Sequence, residues 1–295
     1  MKATIAVVIL TRDEPEFLDK TVRGIIERTS YPYELFIVDN NSSSSLQIEL
    51  LNKYKKQGLA QVIFNTKNQW VLGFNKALEI VDKREGLSKE YIVLSDGDIV
   101  VPEPKDNLCW LEYMKQKLDC NVAVGKLGLA LNLEFIKNQK YLNTVYENEL
   151  AYMEGPLIGD LVVAAVDTTL AMYRKDLFVM NKFKMLPGHA SLVKPHYYTC
   201  RTTGHYQAEH LGWSLYNELD KKQLQEKVIC FTKYGGCIIP ILLNQTSTKA
   251  KYFYKIFRHI YRLYWFVILS IYWAYYIALR FPRNLNEIQS KNRGQ

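Results

Sequence analysis

The first hundred residues alternate between short apolar runs and segments with helical periodicity, and this alternation restricts the fold more than any other feature of the sequence. Runs such as TIAVVIL are apolar at successive positions, as strands buried on both faces are, whereas PEFLDKTVRGIIERT has apolar residues at helical spacing. The predicted strands are 4–10, 33–40, 60–65 and 90–98, and the predicted helices between them are 15–29, 46–56 and 71–83. Strands that alternate with helices form a parallel sheet covered on both faces. An α/β fold with a mostly parallel sheet is therefore predicted.

Polar residues follow the predicted strands, at the edge where sheets of this kind bind ligands. The candidate site residues are Thr11, Arg12, Asp39, Asn40, Asn65, Asp96 and Asp98. The last two flank Gly97 after the fourth strand, and alternate positions in an extended chain place their side chains on one side. Carboxylate oxygens are preferred ligands of Mg²⁺ and Mn²⁺, so the triplet predicts a site for one of these ions. The alternative is a turn with two solvated surface carboxylates.

The glycine pattern excludes two common phosphate-binding loops. The segment after the first strand reads TRDEP and lacks the G-x-G-x-x-G turn that brings backbone amides to a dinucleotide. The sequence also lacks a G-x-x-x-x-G-K-[ST] loop. Any bound phosphates must be held by other means, and a divalent ion at Asp96 and Asp98 would serve.

Positive charge is concentrated near the carboxyl end of the sequence. The chain has 38 Lys and Arg against 30 Asp and Glu, which gives a formal net charge of +8. Residues 227–286 contain nine of the basic residues and no acidic residue, which leaves 29 basic and 30 acidic residues elsewhere. Nucleic-acid enzymes distribute basic residues along a groove in the main domain. This pattern instead predicts no nucleic-acid partner and favours an anionic membrane surface.

The segment after residue 246 has the pattern of a membrane-associated helix. Four basic residues share one helical face and five apolar residues share another. They are Lys251, Lys255, Arg258 and Arg262, and Phe253, Ile256, Phe257, Ile260 and Tyr264. Residues 263–279 then form an uncharged run of seventeen residues, which as a helix extends about 25 Å against a bilayer core of about 30 Å. A spanning helix, a re-entrant or interfacial helix and a buried helical hairpin remain alternatives, and the aromatic residues of the run favour a shallow membrane position.

The remaining features predict a cytoplasmic location for the main domain. The first apolar stretch is interrupted at Arg12 and Asp13, too early for a secretory signal peptide. The chain has five cysteines, an odd number, and their spacing is not that of a zinc finger. We therefore expect them to be reduced thiols.

Four segments in this order carry a resemblance to a known family: VVILTR, ELFIVDNNSS, NTKNQWVLGFNKALE and YIVLSDGDIVVPEP. Over about residues 1–216 the chain resembles the family-2 glycosyltransferases, which have the Rossmann-like GT-A fold. The resemblance implies a nucleotide-sugar site, most often for a UDP-sugar. In that site Thr11 and Arg12 would lie against the nucleotide, and Asp39 would accept hydrogen bonds from the base or ribose.

The same resemblance implies how the metal and the sugar are held. Asp96 would face the ribose or the metal, and Asp98 would bind the Mn²⁺ or Mg²⁺ that bridges the diphosphate. Asn65, Asn68 and Asn75 would shape the uridine and sugar pocket, with Asn75 also at the start of the third helix. For Asn65 and Asn68, capping of a loop is an equal alternative.

The second half of the chain is less regular. Residues 162–178 resemble the family's strand that ends in an arginine, here Arg174. The segment GHYQAEHLGW is similar to the A-[RE]-H-L-P-W-Y element of one bacterial subgroup, and it lies where other members carry the general base. Glu209 is therefore the first candidate for the catalytic base, ahead of Asp167 and then Asp160.

His210 in the same segment has two interpretations. It would be a third metal ligand or a donor to the diphosphate, and the alternative is a structural histidine beside Trp213. A zinc-protease site is excluded because His205, Glu209 and His210 are spaced H-x-x-x-E-H, which matches neither H-E-x-x-H nor H-x-x-E-H.

Together these features predict a metal-dependent, inverting glycosyltransferase at the cytoplasmic face of the cell membrane. The donor would be a nucleotide-diphosphate sugar, and the acceptor a hydroxyl of a lipid-linked or cell-surface glycan; inversion is implied by the resemblance. The alternatives are a sugar nucleotidyltransferase, which would have a Gly-rich basic loop in place of TRDEP, and a non-catalytic nucleotide-binding module at the membrane. The predicted regions are a transferase domain 1–245 with a nucleotide-binding half 1–100 and an acceptor half 101–245, a membrane-associating helical segment 246–283 and a polar tail 284–295.

Overall fold

The computed structural model describes residues 3–166, 170–177, 184–187, 197–217, 219–236, 238 and 240–292. The α-helices in these ranges are α1 (Pro15–Arg28), α2 (Ser45–Lys56), α3 (Asn75–Lys83), α4 (Trp110–Cys120), α5 (Asn143–Met153), α6 (Lys221–Lys233), α7 (Pro240–Gln245) and α8 (Thr248–Asn292). The strands are β1 (Thr4–Thr11), β2 (Tyr33–Asp39), β3 (Gln61–Phe64), β4 (Leu87–Asp96), β5 (Ile99–Val100), β6 (Val124–Gly128), β7 (Ala130–Leu131), β8 (Leu157–Ile158), β9 (Leu161–Val163), β10 (Ala171–Arg174), β11 (Tyr198–Arg201) and β12 (Gln207–His210).

The amino-terminal half of the sheet is parallel, as predicted. The strand order of the large sheet is β3-β2-β1-β4-β10-β6-β11-β9-β8 within the described ranges. The strands β3, β2, β1 and β4 all run in the same direction, and Thr11 pairs with Asp39 while Leu10 pairs with Asp96. This register places the polar residues that follow the three strands at one edge of the sheet, which confirms the arrangement expected from the alternation of strands and helices.

The other half of the sheet is mixed, so an all-parallel arrangement holds only for β3, β2, β1 and β4. β10 is antiparallel to both β4 and β6, β11 is parallel to β6, and β9 is antiparallel to β11 and β8. The predicted strand 162–178 is divided between β9 and β10. A second, three-stranded sheet has the order β5-β12-β7, and its β5 follows Asp98 directly.

The large sheet is buried on both faces, as the unbroken apolar run of β1 predicts. Alternate residues of β1 belong to different cores: Ile5, Val7 and Ile9 pack with residues of α1 and α4, whereas Ala6, Val8 and Leu10 pack with α3. Side chains of a strand alternate between faces, and each fully buried Ile or Val contributes about 1.5–3 kcal/mol to folding. The two apolar cores, one on each face, therefore fix the edge of the sheet at which the polar residues lie.

The predicted third helix begins with a tighter turn. Residues Trp70–Phe74 form a 3₁₀ turn, and α3 begins at Asn75. The turn lies close to the sheet at Gly73, where a Cβ atom would be 2.8 Å from both Asn40 Oδ1 and Leu10 Cδ1. A residue with a side chain would therefore displace this turn from the strand ends.

The carboxyl-terminal helices form a further apolar cluster. Its members are Leu224, Val228, Ile238, Leu242, Ala250 and Tyr254, from α6, from Ile238 before α7, and from α7 and the start of α8. α6 begins with a capping box: the Asp220 side chain accepts from the backbone of Gln223, and the Gln223 side chain accepts from the N–H of Asp220. The shared apolar cluster packs α6 against α7 and α8.

α8 is one continuous helix that includes the predicted amphipathic and uncharged segments. It does not end at Arg283 but continues to Asn292. One face carries large exposed apolar side chains, for example Leu263 at 64% and Phe266 at 66% exposure. Within the described part of the chain, no helix combines the length and the apolarity that crossing a membrane requires.

Candidate active site

The carboxyl ends of β1, β2 and β4 bring Thr11, Asp39 and Asp96 to one edge of the sheet. Asp39 is 2% exposed, and its Oδ2 atom accepts a hydrogen bond from the Ser42 N–H at 3.0 Å. Its Oδ1 atom is buried and accepts no hydrogen bond from any described residue. A buried carboxylate oxygen normally has a partner, so this atom is suited to accept hydrogen bonds from a ligand.

A network of amide side chains holds the loop beside Asp39. Asn40 Nδ2 donates to Asn68 Oδ1 at 2.9 Å, and Asn65 Nδ2 donates to Asn40 Oδ1 at 3.3 Å. Asn68 Oδ1 also accepts from the N–H of Trp70, which has a positive φ of 48°. Asn65 and Asn68 therefore position the loop of Trp70 at the strand ends, as the capping alternative expects.

Asn75 also has a positioning role. It starts α3 as predicted, and its side-chain amide both donates to the carbonyl of Met185 at 3.1 Å and accepts from the N–H of Met185 at 2.6 Å. The amide joins α3 to the segment 184–187.

Glu14 adds a third carboxylate to the predicted pair. The Thr11 hydroxyl donates to Glu14 Oε1 at 2.9 Å, and Gln47 Nε2 donates to Thr11 Oγ1 at 3.2 Å. Burial raises the pKa of Glu14 well above its usual value, and the negative charges of Asp98 and Asp96 raise it further. The three acids therefore form one electrostatic cluster.

Gly97 is required between the two aspartates because Glu14 occupies the space of a side chain. A Cβ atom at Gly97 would be 2.4 Å from Glu14 Oε1 and 2.7 Å from Thr11 Oγ1. The carbonyl of Gly97 accepts a hydrogen bond from the buried Thr21 hydroxyl of α1 at 3.0 Å. The turn that presents Asp96 and Asp98 is thus fixed from both sides.

Asp98 connects the large sheet to the distant segment that contains His210. β12 is antiparallel to β5, with His210 paired to Ile99, and the Leu211 N–H donates to the Asp98 carbonyl at 2.9 Å. His210 Nδ1 lies 3.5 Å from Asp98 Oδ2, and its ring stacks on Trp213 with 4.4 Å between centroids. The structure therefore brings His210 to Asp98, where both interpretations of the histidine are compatible with its contacts.

The side chains at this turn fit a divalent ion of the Mg²⁺ or Mn²⁺ type. Asp98 is 8% exposed, and its Oδ1 atom is buried and accepts no hydrogen bond from any described residue. In the described ranges no three or more His, Cys, Asp or Glu side chains form a complete metal centre. Mg²⁺ needs only one or two carboxylates and completes its shell with water and phosphate oxygens. Asp98 and Asp96, with His210 nearby, meet that requirement.

Two charged residues of α6 interact with groups at the strand ends. Arg12 Nη2 donates to Glu226 Oε2 at 2.9 Å, so the predicted nucleotide-binding arginine is paired across the site. The neighbouring Lys227 interacts electrostatically with Asp98, Glu14 and Asp96, and burial lowers the pKa of its ammonium group.

Two of the three candidate bases, Glu209 and Asp160, lie within the described residues. Glu209 is exposed and His210 is buried. Successive residues of a strand point to opposite faces, so the structure does not bring Glu209 together with His210 and Asp98. Asp160 forms an ion pair with Lys117 at 2.6 Å in the turn at the β8 end of the sheet. Asp167 lies outside the described residues. The role of each as a base stays a prediction.

The predicted Arg174 has a structural role. It is buried at the end of β10, and its guanidinium donates to the Val124 carbonyl at 2.8 Å and to the Tyr91 hydroxyl at 3.2 Å. It therefore joins β10 to its neighbouring strands.

Several solved structures are similar to this chain. The mannosyltransferase PcManGT from Pyrobaculum calidifontis, in complex with GDP-Man and Mn²⁺, aligns with a TM-score of 0.50 and 14% identity over 99% of this chain and 80% of that chain. A TarS fragment from S. aureus aligns with a TM-score of 0.44 and 12% identity over 78% of this chain and 66% of that chain. GalNAc-T7 with UDP, GalNAc and Mn²⁺ aligns with a TM-score of 0.48 and 14% identity over 70% of this chain and 43% of that chain.

At such low identities the likeness concerns the fold, and the alignment with PcManGT supports the predicted GT-A architecture. No curated protein matches the sequence significantly. The model of the family described as "Glycosyl transferase family 2" matches residues 6–179, which is more than half of the 295 residues. The matched range contains the three strand ends and the acid cluster described above. The chain therefore belongs to glycosyl transferase family 2.

Proposed function

We propose that the protein is a metal-dependent, inverting glycosyltransferase that moves a sugar from a nucleotide-diphosphate donor to a hydroxyl of a lipid-linked or cell-surface glycan. The family match supports glycosyl transfer. The observation that carries the proposal is the buried Oδ1 atom of Asp98, which lacks a hydrogen-bond partner in the described structure. Burial of a carboxylate oxygen without a hydrogen bond is costly. A cationic ligand at this atom would remove that cost.

Each residue at the strand ends has a task in this proposal. Asp39 would accept hydrogen bonds from the base or ribose through its buried Oδ1 atom. Asp98 and Asp96, with His210, would hold Mn²⁺ or Mg²⁺. When bound, the ion would neutralise the diphosphate of the donor as it leaves.

The base that accepts the proton of the acceptor hydroxyl is proposed to be Glu209, with Asp167 second. Glu209 is exposed, so an acceptor can reach its carboxylate from solvent. General-base catalysis of this kind typically contributes about 10²–10⁴-fold in rate. The inverting outcome is an inference from the family.

Ligand-dependent thermal stability tests the donor and metal parts of the proposal. A ligand that binds only the folded protein at 100 times its Kd stabilises it by about 2.7 kcal/mol. We expect a UDP-sugar to raise the Tm in the presence of Mn²⁺ and to have a much smaller effect with EDTA. GDP-sugars belong in the same screen because PcManGT was solved with GDP-Man and Mn²⁺. A Tm unchanged by every nucleotide sugar with Mn²⁺ would contradict the proposal.

The proposed location of the reaction is the cytoplasmic face of the cell membrane. The first half of α8 exposes Lys251 and Lys255 together with apolar side chains such as Ile256 and Ile260. A helix with exposed apolar and basic side chains binds in the headgroup region of anionic lipid. Membrane binding of α8 would place the acid cluster near a lipid-linked acceptor.

Removal of the two exposed lysines should weaken binding to anionic vesicles. Each lysine near such a surface contributes about 1 kcal/mol, so the double variant Lys251→Gln/Lys255→Gln should bind about 30-fold more weakly. The measurement is co-sedimentation with phosphatidylserine-containing vesicles at constant salt. The matched control is Lys55→Gln/Lys56→Gln on α2, where both lysines are also exposed. Equal binding by the two double variants would contradict the membrane proposal.

A further inference from the structure

α6 extends across the proposed donor site and contacts it at two places. In the middle of the helix, Glu226 forms the 2.9 Å ion pair with Arg12 after β1. Five residues later, near the carboxyl end of α6, Phe231 packs edge-on against Trp70 with 5.1 Å between ring centroids, and Tyr234 lies 6.0 Å from the same ring. These contacts fix the helix over the strand ends.

Lys227 lies on α6 between these two contacts, and its charge acts on the acid cluster of Glu14, Asp96 and Asp98. Lys227 is partly buried and shares a helix face with Phe231, four residues later. Its Nζ atom lies 5.8 Å from the centre of the Phe231 ring, which packs on Trp70 at the strand ends. A positive charge on this face attracts the carboxylates of Asp98, Glu14 and Asp96. Three carboxylates that share a partly buried site repel one another, and a cation nearby reduces that repulsion. The charge of Lys227 therefore acts on the same carboxylates as the proposed metal would.

A metal and a nucleotide would change what Lys227 faces. Asp98 and Asp96 would then share their negative charge between a divalent ion and the ammonium group. The diphosphate of a nucleotide sugar carries two negative charges and gains a third when the sugar leaves. One divalent ion that also faces two aspartates does not neutralise all of this charge, and an ammonium group is a suitable partner for the excess.

We propose that Lys227 exchanges partners during binding: it is the counter-ion of the acid cluster in the free protein and binds the diphosphate of the donor in the metal–nucleotide complex. The inference rests on the proposed function. It assigns the positive charge on the leaving group partly to α6, a helix packed on α8, and not to the metal alone.

Two affinities of opposite sign test this exchange. In Lys227→Gln, the affinity for Mn²⁺ without nucleotide should rise about tenfold because a competing cation is lost, and the affinity for UDP at saturating Mn²⁺ should fall about tenfold. Isothermal titration calorimetry measures both. Lys227→Arg retains the charge and should stay closer to wild type in both titrations. A variant that only loosens the site would weaken both affinities, and that result would overturn the proposal.

The control is Lys222→Gln, an exposed lysine of the same helix. Lys227→Met retains the aliphatic stem beside Phe231 and serves the same test if the glutamine variant is unstable. If wild type binds neither UDP nor GDP with Mn²⁺, the proposed function fails. If wild type binds one of them and Lys227→Gln behaves as Lys222→Gln does, only the exchange by Lys227 is refuted.

Discussion

Replacement of Asp98 with asparagine should abolish Mn²⁺-dependent nucleotide binding and reduce glycosyl transfer by about 1000-fold or more. The substitution keeps the shape of the side chain but removes the charge and one acceptor from a buried site. The Oδ1 atom of Asp98 has no hydrogen-bond partner among the described residues, so its carboxylate is available to an ion. Calorimetric titration of UDP and GDP with Mn²⁺, together with donor turnover, measures the effect.

Two other substitutions separate metal binding from general effects. Asp82→Asn removes an exposed aspartate of α3 and should leave both measurements unchanged. Glu209→Gln should lose transfer but retain the nucleotide affinity, because a base acts on the acceptor. Normal turnover in Asp98→Asn would exclude the metal role of this residue. If Asp167→Asn loses transfer and Glu209→Gln does not, the order of the two candidate bases is reversed.

The first half of the fold could be predicted because each element has its own local pattern. The apolar run of β1 predicts a strand buried on both faces, and its alternate residues do enter two different cores. Parallel strands end at the same edge, so the nearness of Thr11, Asp39 and Asp96 followed from topology alone. The order of the remaining strands depends on contacts between short segments distant in sequence, which have no local signal.

The acid cluster was only partly predictable, for a similar reason. Glu14 lies in the TRDEP segment beside Thr11, and its position directly after a strand was a usable signal that the sequence analysis did not use. Glu226 and Lys227 offered none, because they lie more than 200 residues from Arg12 in the sequence. The separation of Glu209 and His210 could have been foreseen, since neighbouring residues of a strand face opposite sides.

Gly212 has a geometric role at the metal site that a single methyl group can test. A Cβ atom there would be 1.9 Å from Asp98 Oδ2 and 3.3 Å from His210 Cε1. Since real Cβ atoms do not approach a carboxylate oxygen so closely, the side chain of Asp98 or the backbone of the 3₁₀ turn Leu211–Asn217 must move. The carboxylate is the easier of the two to displace, and it is the proposed metal ligand.

Gly212→Ala should therefore reduce glycosyl transfer by about 100-fold, because a displacement of about 1 Å at a positioned group costs that much. It should also lower the affinity for Mn²⁺ and UDP, and overpacking should reduce the free energy of unfolding by about 1–3 kcal/mol. Gly204→Ala in the same segment is the matched control, because its Cβ atom would lie 3.8 Å from the nearest atom, Gln207 Nε2. The measurements are the turnover, the nucleotide affinity by titration and the Tm of both variants. If Gly212→Ala matches Gly204→Ala in all three measurements, the position of the Asp98 carboxylate is not important for metal binding. That result would contradict the role of Asp98 as a positioned metal ligand.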